Sequence, residues 1–157
     1  MVLTDNRIAE LLAEGKQLPP DFLERMQLKA AKRGHKEATL SLKGDEGSLF
    51  EIRLRQSEID PLDFSAILAC LPPGGGRFLL RRYNGNSHEH TNKIERQRIA
   101  PDFHVHEATE RYQQLGFSAE GYATVTDRFD NIHSALQCLI DDCGFRRVES
   151  DTPSLPF

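Results

Sequence analysis

The chain has 157 residues, 28% of them charged and 38% hydrophobic, with no Trp and only three Cys. That suits one compact domain able to bury roughly two thirds of its unfolded surface, with no metal or disulfide needed to hold it together. A formal charge of −4 argues against a wholly basic nucleic-acid coat and against adhesion to an anionic membrane. No apolar run reaches the length of a membrane span, and residues 1–15 lack the apolar centre of a signal peptide, so a cytoplasmic protein is expected. Cys70, Cys138 and Cys143 are odd in number and lack C-x-x-C spacing, which reads as reduced filler.

Thr4 or Asp5 can cap a first helix over 6–16, with Ile8, Leu11 and Leu12 on one face. Pro19-Pro20 breaks it, and a second helix over 21–32, with Phe22, Leu23, Met26 and Leu28 apolar and Gly34 as a stop, completes a helical hairpin. From Glu37 the period changes to two. Ala38, Leu40 and Leu42 alternate with polar residues, GDEG at 44–47 turns the chain, and 49–55 alternates again, which predicts a β-hairpin. The apolar run 64–71 fits a buried strand, and 72–76 (PPGGG) turns into a fourth strand over 77–83.

Residues 84–87 (NGNS) have loop chemistry, and structure resumes after Pro101. Phe103-His104-Val105-His106 alternates like a strand and passes into a short helix with Ala108, Tyr112 and Leu115 in register, Gly116 closing it. A strand is expected over 122–126 and a helix over 131–143, followed by Gly144. These elements predict an α+β fold: a single domain over 1–148 in which the helical hairpin and C-terminal helix pack on a mainly antiparallel sheet, with a disordered tail over 149–157.

The charge is segregated: 1–43 carries +2, 44–76 carries −4, 77–112 carries +2 and 113–157 carries −4. The third segment also holds two H-x-H motifs, His88-Glu89-His90 and His104-Val105-His106, so it is where an anion site is expected. Spacing of two on an extended segment points both imidazoles of a pair to one side.

Two chemistries fit. One is a metal-independent ribonuclease, in which a base removes the ribose 2′-hydroxyl proton, an acid serves the leaving 5′-oxygen and arginines meet the growing phosphate charge. On that reading His104 and His106 are the acid/base pair, His88 and His90 assist, Arg81, Arg82 and Arg111 face phosphate, Asn92 lies in the binding loop, and Tyr83 or Tyr112 stacks on a base. No cofactor is then required. The other reading is a transition-metal site, Zn among the candidates, with His88, His90, His104 and His106 as ligands in a sensor or hydrolase. A non-catalytic module that binds protein or nucleic acid through the same loop is a third. Each residue also has a purely structural reading: His104 as a core histidine, Arg81-Arg82 as a solvated strand end, Tyr112 as packing. His35 and His133 fall outside the cluster and receive no role.

Residues 82–95 (RYNGNSHEHTNKIE) and 103–112 (FHVHEATERY) resemble the signature of a small uncharacterised prokaryotic family with paired H-x-H motifs. A fainter likeness is to TumE-type toxins of toxin–antitoxin modules, through Tyr83-Asn84, the following histidine pair and the acidic, apolar helix over 136–142. The succession of elements is also similar to the RelE/ParE toxin architecture. The toxin likeness implies a cognate antitoxin-like protein as a partner, while RNA as a substrate is expected from the residue chemistry above.

Overall fold

The computed structural model describes residues 2–147. In chain order the elements are α1 (Asp5–Ala13), β1 (Lys16–Gln17), α2 (Phe22–Arg25), β2 (Lys29–Ala30), β3 (His35–Lys43), β4 (Leu49–Ser57), β5 (Phe64–Cys70) and β6 (Phe78–Asn84). They continue with β7 (His90–Asn92), β8 (Gln97–Ile99), β9 (His104–Glu107), α3 (Glu110–Gln114), β10 (Tyr122–Val125), α4 (Ile132–Asp142) and β11 (Phe145–Arg146). The fold is α+β. Seven strands form an antiparallel sheet in the order β10-β9-β6-β5-β4-β3-β2. β7 and β8 form a separate small hairpin, and β1 and β11 pair in parallel. The tail expected over 149–157 lies outside the described residues. None of the described helices is long and apolar enough to cross a membrane.

One face of the large sheet is apolar. Leu40, Ile52, Leu54, Ala66, Leu68, Leu80 and Tyr83 join Ile8 and Leu11 of α1 and Ile132, Ala135, Leu136 and Leu139 of α4 in one buried core. Caps fix both helices: Thr4 Oγ1 accepts from the Arg7 amide at 3.0 Å, and Asn131 and Ser134 form a reciprocal capping box.

The N-terminal helical hairpin is not formed. α2 is a single turn, long enough to bury Phe22 and Met26, and the chain then extends as β2 to pair with Lys36 and Glu37 of β3. Gly34, read as a helix stop, sits with Arg33 in the left-handed region (φ +79° and +44°) and turns β2 into β3. The edge of β3 offered backbone partners that helix propensity could not match.

α1 also ends early, because Lys16 has another task. Its side chain has no solvent exposure, and Nζ donates to the carbonyls of Leu11 (2.9 Å), Leu12 (3.2 Å), Glu14 (2.8 Å) and Cys143 (2.7 Å). The ammonium therefore meets orphan carbonyls at the C-terminal ends of both α1 and α4, and it also lies 4.4 Å from the Phe50 ring centre. Burial pulls its pKa below the ordinary lysine value, an effect opposed by Cys143, Glu14 and Asp45. Glu14 extends the clamp: its Oε2 accepts from the amides of Glu46 (3.0 Å) and Ser48 (3.3 Å) in the β3–β4 turn. A Cβ on Gly44 would lie 2.0 Å from that oxygen, so a side chain there would displace the Glu14 carboxylate from the turn.

Replacing Lys16 by Met keeps the apolar stem and removes the donor from four carbonyls. Urea unfolding of K16M should show a loss of about 3 kcal/mol, the scale for orphaned buried acceptors. A loss under about 1 kcal/mol would mean that the helix ends are held by other contacts.

Candidate functional site

The site lies on the sheet face opposite α1 and α4. In β6 the alternation is reset by a bulge, since Arg81 stands opposite Leu68 while Leu79 stands opposite Ala69, leaving Leu80 as an extra residue. Leu80 and Tyr83 are therefore both in the core, and Arg82 points to the other side. Across β5, β6, β9 and β10 the register runs Ile67–Arg82–His106–Ala123 and, two residues along, Ser65–Asn84–His104–Val125. Both histidines of the second motif thus stand beside Arg82 and Asn84 on one face, as the spacing predicted.

The β7–β8 hairpin brings in His90. Asn92, fully buried, donates from Nδ2 to the Ala123 carbonyl (2.9 Å) and accepts at Oδ1 from the Ala123 amide (2.8 Å), which docks the hairpin on β10. The ring centres of His90 and His106 are 4.6 Å apart, those of His104 and His106 4.9 Å, and those of His90 and His104 6.1 Å. His88 stands apart: its side chain is 79% exposed and Nε2 lies 3.7 Å from Asp63 Oδ1.

Backbone carbonyls fix the tautomers. His104 Nδ1 donates to Asp102 (2.7 Å), His106 Nδ1 to Glu120 (2.9 Å) and His90 Nε2 to Gly121 (2.7 Å). In His104 and His106 this leaves Nε2 as the acceptor. Burial lowers the pKa of both, with Arg82 and His90 adding to it and a carbonyl hydrogen bond opposing it, from Asp102 in His104 and Glu120 in His106; His106, which His104 depresses as well, falls to about 3. Both rings are neutral at physiological pH.

Arg82 is half-buried. Its Nε is shielded from solvent with no hydrogen-bond partner, and it has no ion pair among the described residues. Burial pulls its pKa down, with the Glu120 charge acting the other way. Arg82, His90 and His106 separate two cavities. One, about 220 Å³, is lined also by Asp63, Ser65, Asn84, His88 and His104. The other, about 140 Å³, is lined also by Lys93, Tyr112, Phe117 and Glu120.

Several expected site residues are committed to other partners. Tyr83 has no exposure and its hydroxyl donates to Asp142 Oδ2 at 2.7 Å, so its ring has no face free for a nucleobase. Arg81 shares that side, 3.6 Å from Glu107 and 3.8 Å from Asp142. Tyr112 is 1% exposed and donates to Glu95 Oε1 at 2.6 Å; Arg111 pairs with the same carboxylate and lies over the Tyr122 ring. Asn92 is spent on the β10 backbone. Of the four histidines proposed as ligands, three come together; among the described residues no group of three or more His, Cys, Asp or Glu is arranged to hold a metal ion. The three cysteines are free and buried.

Sequence reasoning missed His35, Asp63 and Ser65. A further cavity of about 210 Å³, sharing Asp63, Ser65 and His88 with the first, is lined by His35 and Arg55. The alternation of β3 to β5 carries the signal, because His35, Arg55 and Ser65 have the outward parity opposite Ala38, Leu54 and Ala66. No family model, curated protein or solved structure matches this chain. Its function is therefore read from the site itself.

The His106 shift has a pH consequence. The unfolded chain titrates this ring near 6.5 and the folded chain near 3, so between those values the unfolded state binds more protons. Its contribution to stability is complete above about pH 6.5 and is lost as the pH falls toward 3. Thermal midpoints measured from pH 7.5 down to 4 should decline, and H106N should make the decline shallower; identical slopes would assign the acid sensitivity to other groups.

Proposed function

We propose that the chain is a toxin-like, metal-independent endoribonuclease of the cytoplasm, with the histidine cavity as its catalytic site. Arg82 is the observation that carries this reading. A guanidinium with no ion pair among the described residues, half-buried beside the neutral rings of His104 and His106 with their bare acceptor nitrogens, has the Glu120 charge nearby but no hydrogen-bonded counter-charge, and a phosphodiester supplies one.

RNA adds the internal nucleophile that this residue set can use. Arg82 meets the phosphate. His104 Nε2, bare because Nδ1 is committed to Asp102, accepts the 2′-hydroxyl proton as the oxygen attacks phosphorus. The bond from phosphorus to the 5′-oxygen breaks, and His88, held beside Asp63, supplies the proton to that oxygen. The products are a 2′,3′-cyclic phosphate and a free 5′-hydroxyl. His106 and His90 border the cavity as hydrogen-bonding rings, so His88 takes the place of His106 in the acid/base pair expected from sequence. DNA, lacking the 2′-hydroxyl, would bind without being cut. An antitoxin-like partner that covers the cavity would hold the activity in check.

A His-ligated metal protein is the second reading. It is favoured by the three carbonyls that each hold one nitrogen of a clustered ring, as the outer contacts of metal-bound histidines do, and opposed by the positive charge of Arg82 among those rings. Chelator-treated protein should cleave a single-stranded RNA, and H104A and H88A should each lower kcat by about 100-fold or more. Cleavage by a H104A/H106A double variant at the wild-type rate overturns the proposal. Stoichiometric Zn together with activity lost on chelation transfers support to the metal reading, and RNA bound without turnover transfers it to a binding module.

A further inference from the structure

The open sheet face carries a second unpaired guanidinium, outside the histidine cavity. Arg53 of β4 stands directly opposite Ile67 of β5, which stands opposite Arg82 of β6. Like Arg82, it is half-buried, its Nε is shielded without a hydrogen-bond partner, and it has no ion pair among the described residues. Its neighbours on this face are already matched. Arg55 pairs with Glu37 at 3.3 Å, and Arg77 with Glu51 at 2.6 Å. Thr39, across from Arg53 on β3, is exposed and uncharged. Arg53 and Arg82 thus stand in one row, two strands apart, as guanidiniums with no ion pair among the described residues.

Two strand spacings put their Cα atoms about 10 Å apart, with Ile67 between them. A phosphate bound in the histidine cavity uses Arg82 and leaves Arg53 for another. We propose that Arg53 is a second phosphate-binding residue, and that the ligand is a single-stranded RNA laid across β6, β5 and β4 rather than a mononucleotide. This rests on the ribonuclease reading and goes beyond it: the substrate is a polymer, and the sheet face holds it on one side of the scissile bond. Charge complementarity selects the occupant, since a polyanion with repeating charges matches two separated guanidiniums, and the half-buried Ile67 side chain between them offers apolar contact for a sugar or base.

The test is binding of a 12-nucleotide single-stranded RNA with a 2′-O-methyl backbone, which blocks cleavage, and of a 5′-mononucleotide, at several salt concentrations. R53Q should weaken the 12-mer by about tenfold and reduce the slope of log K against log salt by about 0.7, the share of one phosphate contact on a single strand. It should leave mononucleotide affinity unchanged. R53K should restore the slope, and R7Q, on the helix-covered side, should behave as wild type; melting curves confirm that each variant folds. Wild-type 12-mer binding with an unchanged R53Q slope overturns this inference alone. A wild-type protein that binds neither ligand overturns the ribonuclease reading and this inference together.

Discussion

A single buried ammonium organises the end of the molecule where three layers meet. The C-terminal ends of α1 and α4 would otherwise point unsatisfied carbonyls at each other inside the core, and Lys16 Nζ meets groups from both. The requirement spreads outward from there. α1 must stop at Ala13 so that Lys16 can turn inward, β1 must then run beside β11, and Glu14 is left free to hold the β3–β4 turn. Gly144, in the left-handed region at φ +77°, lets the chain leave α4 close to this cluster; a Cβ there would lie 2.8 Å from the Glu14 carbonyl. A buried charge is costly unless its hydrogen bonds are met, and here they are met by groups that needed a donor.

The candidate site is built on the opposite side of the same sheet, and β9 serves both. Val105 packs against the core while His104 and His106, its immediate neighbours, carry the polar face. The packing that fixes Val105 thus fixes the imidazoles, with each ring oriented further by one carbonyl. Rigidity of this kind suits a site whose cation and acceptors must already be in position when the ligand arrives.

Much of this was legible because period-two alternation is a strong signal. The strands β3 to β6, the F-H-V-H strand, β10 and the C-terminal helix all follow from apolar spacing and caps, and the paired histidines follow from the parity of β9. The misreadings have specific causes. Phe22, Met26 and Leu28 have helical spacing, but one turn satisfies the first two, Leu28 packs on the core without it, and the free edge of β3 pairs with Lys29 and Ala30. Arg81, Arg82 and Tyr83 read as one functional run, and the bulge at Leu80 decides which of them faces which side. Asn92 in its loop and Tyr112 on its short helix look like ligand-binding residues, yet the backbone of β10 and the Glu95 carboxylate take their polar atoms. Long-range pairing is what local pattern cannot supply, and it is also what brings His35 and Asp63 toward His88.

The docking of Asn92 on Ala123 has a consequence for the chain in a crowded solution. A seven-stranded sheet has two borders, and an uncovered border invites a neighbouring chain to add a strand. On the β10 side, an amide occupies both backbone groups of Ala123 and interrupts the template where it would be read. On the other border, β2 is only two residues long and bears Lys29, with Lys32 close behind. The β10 margin is thus closed at Ala123, so the open face can stay available to a ligand without that border becoming a seed for aggregation.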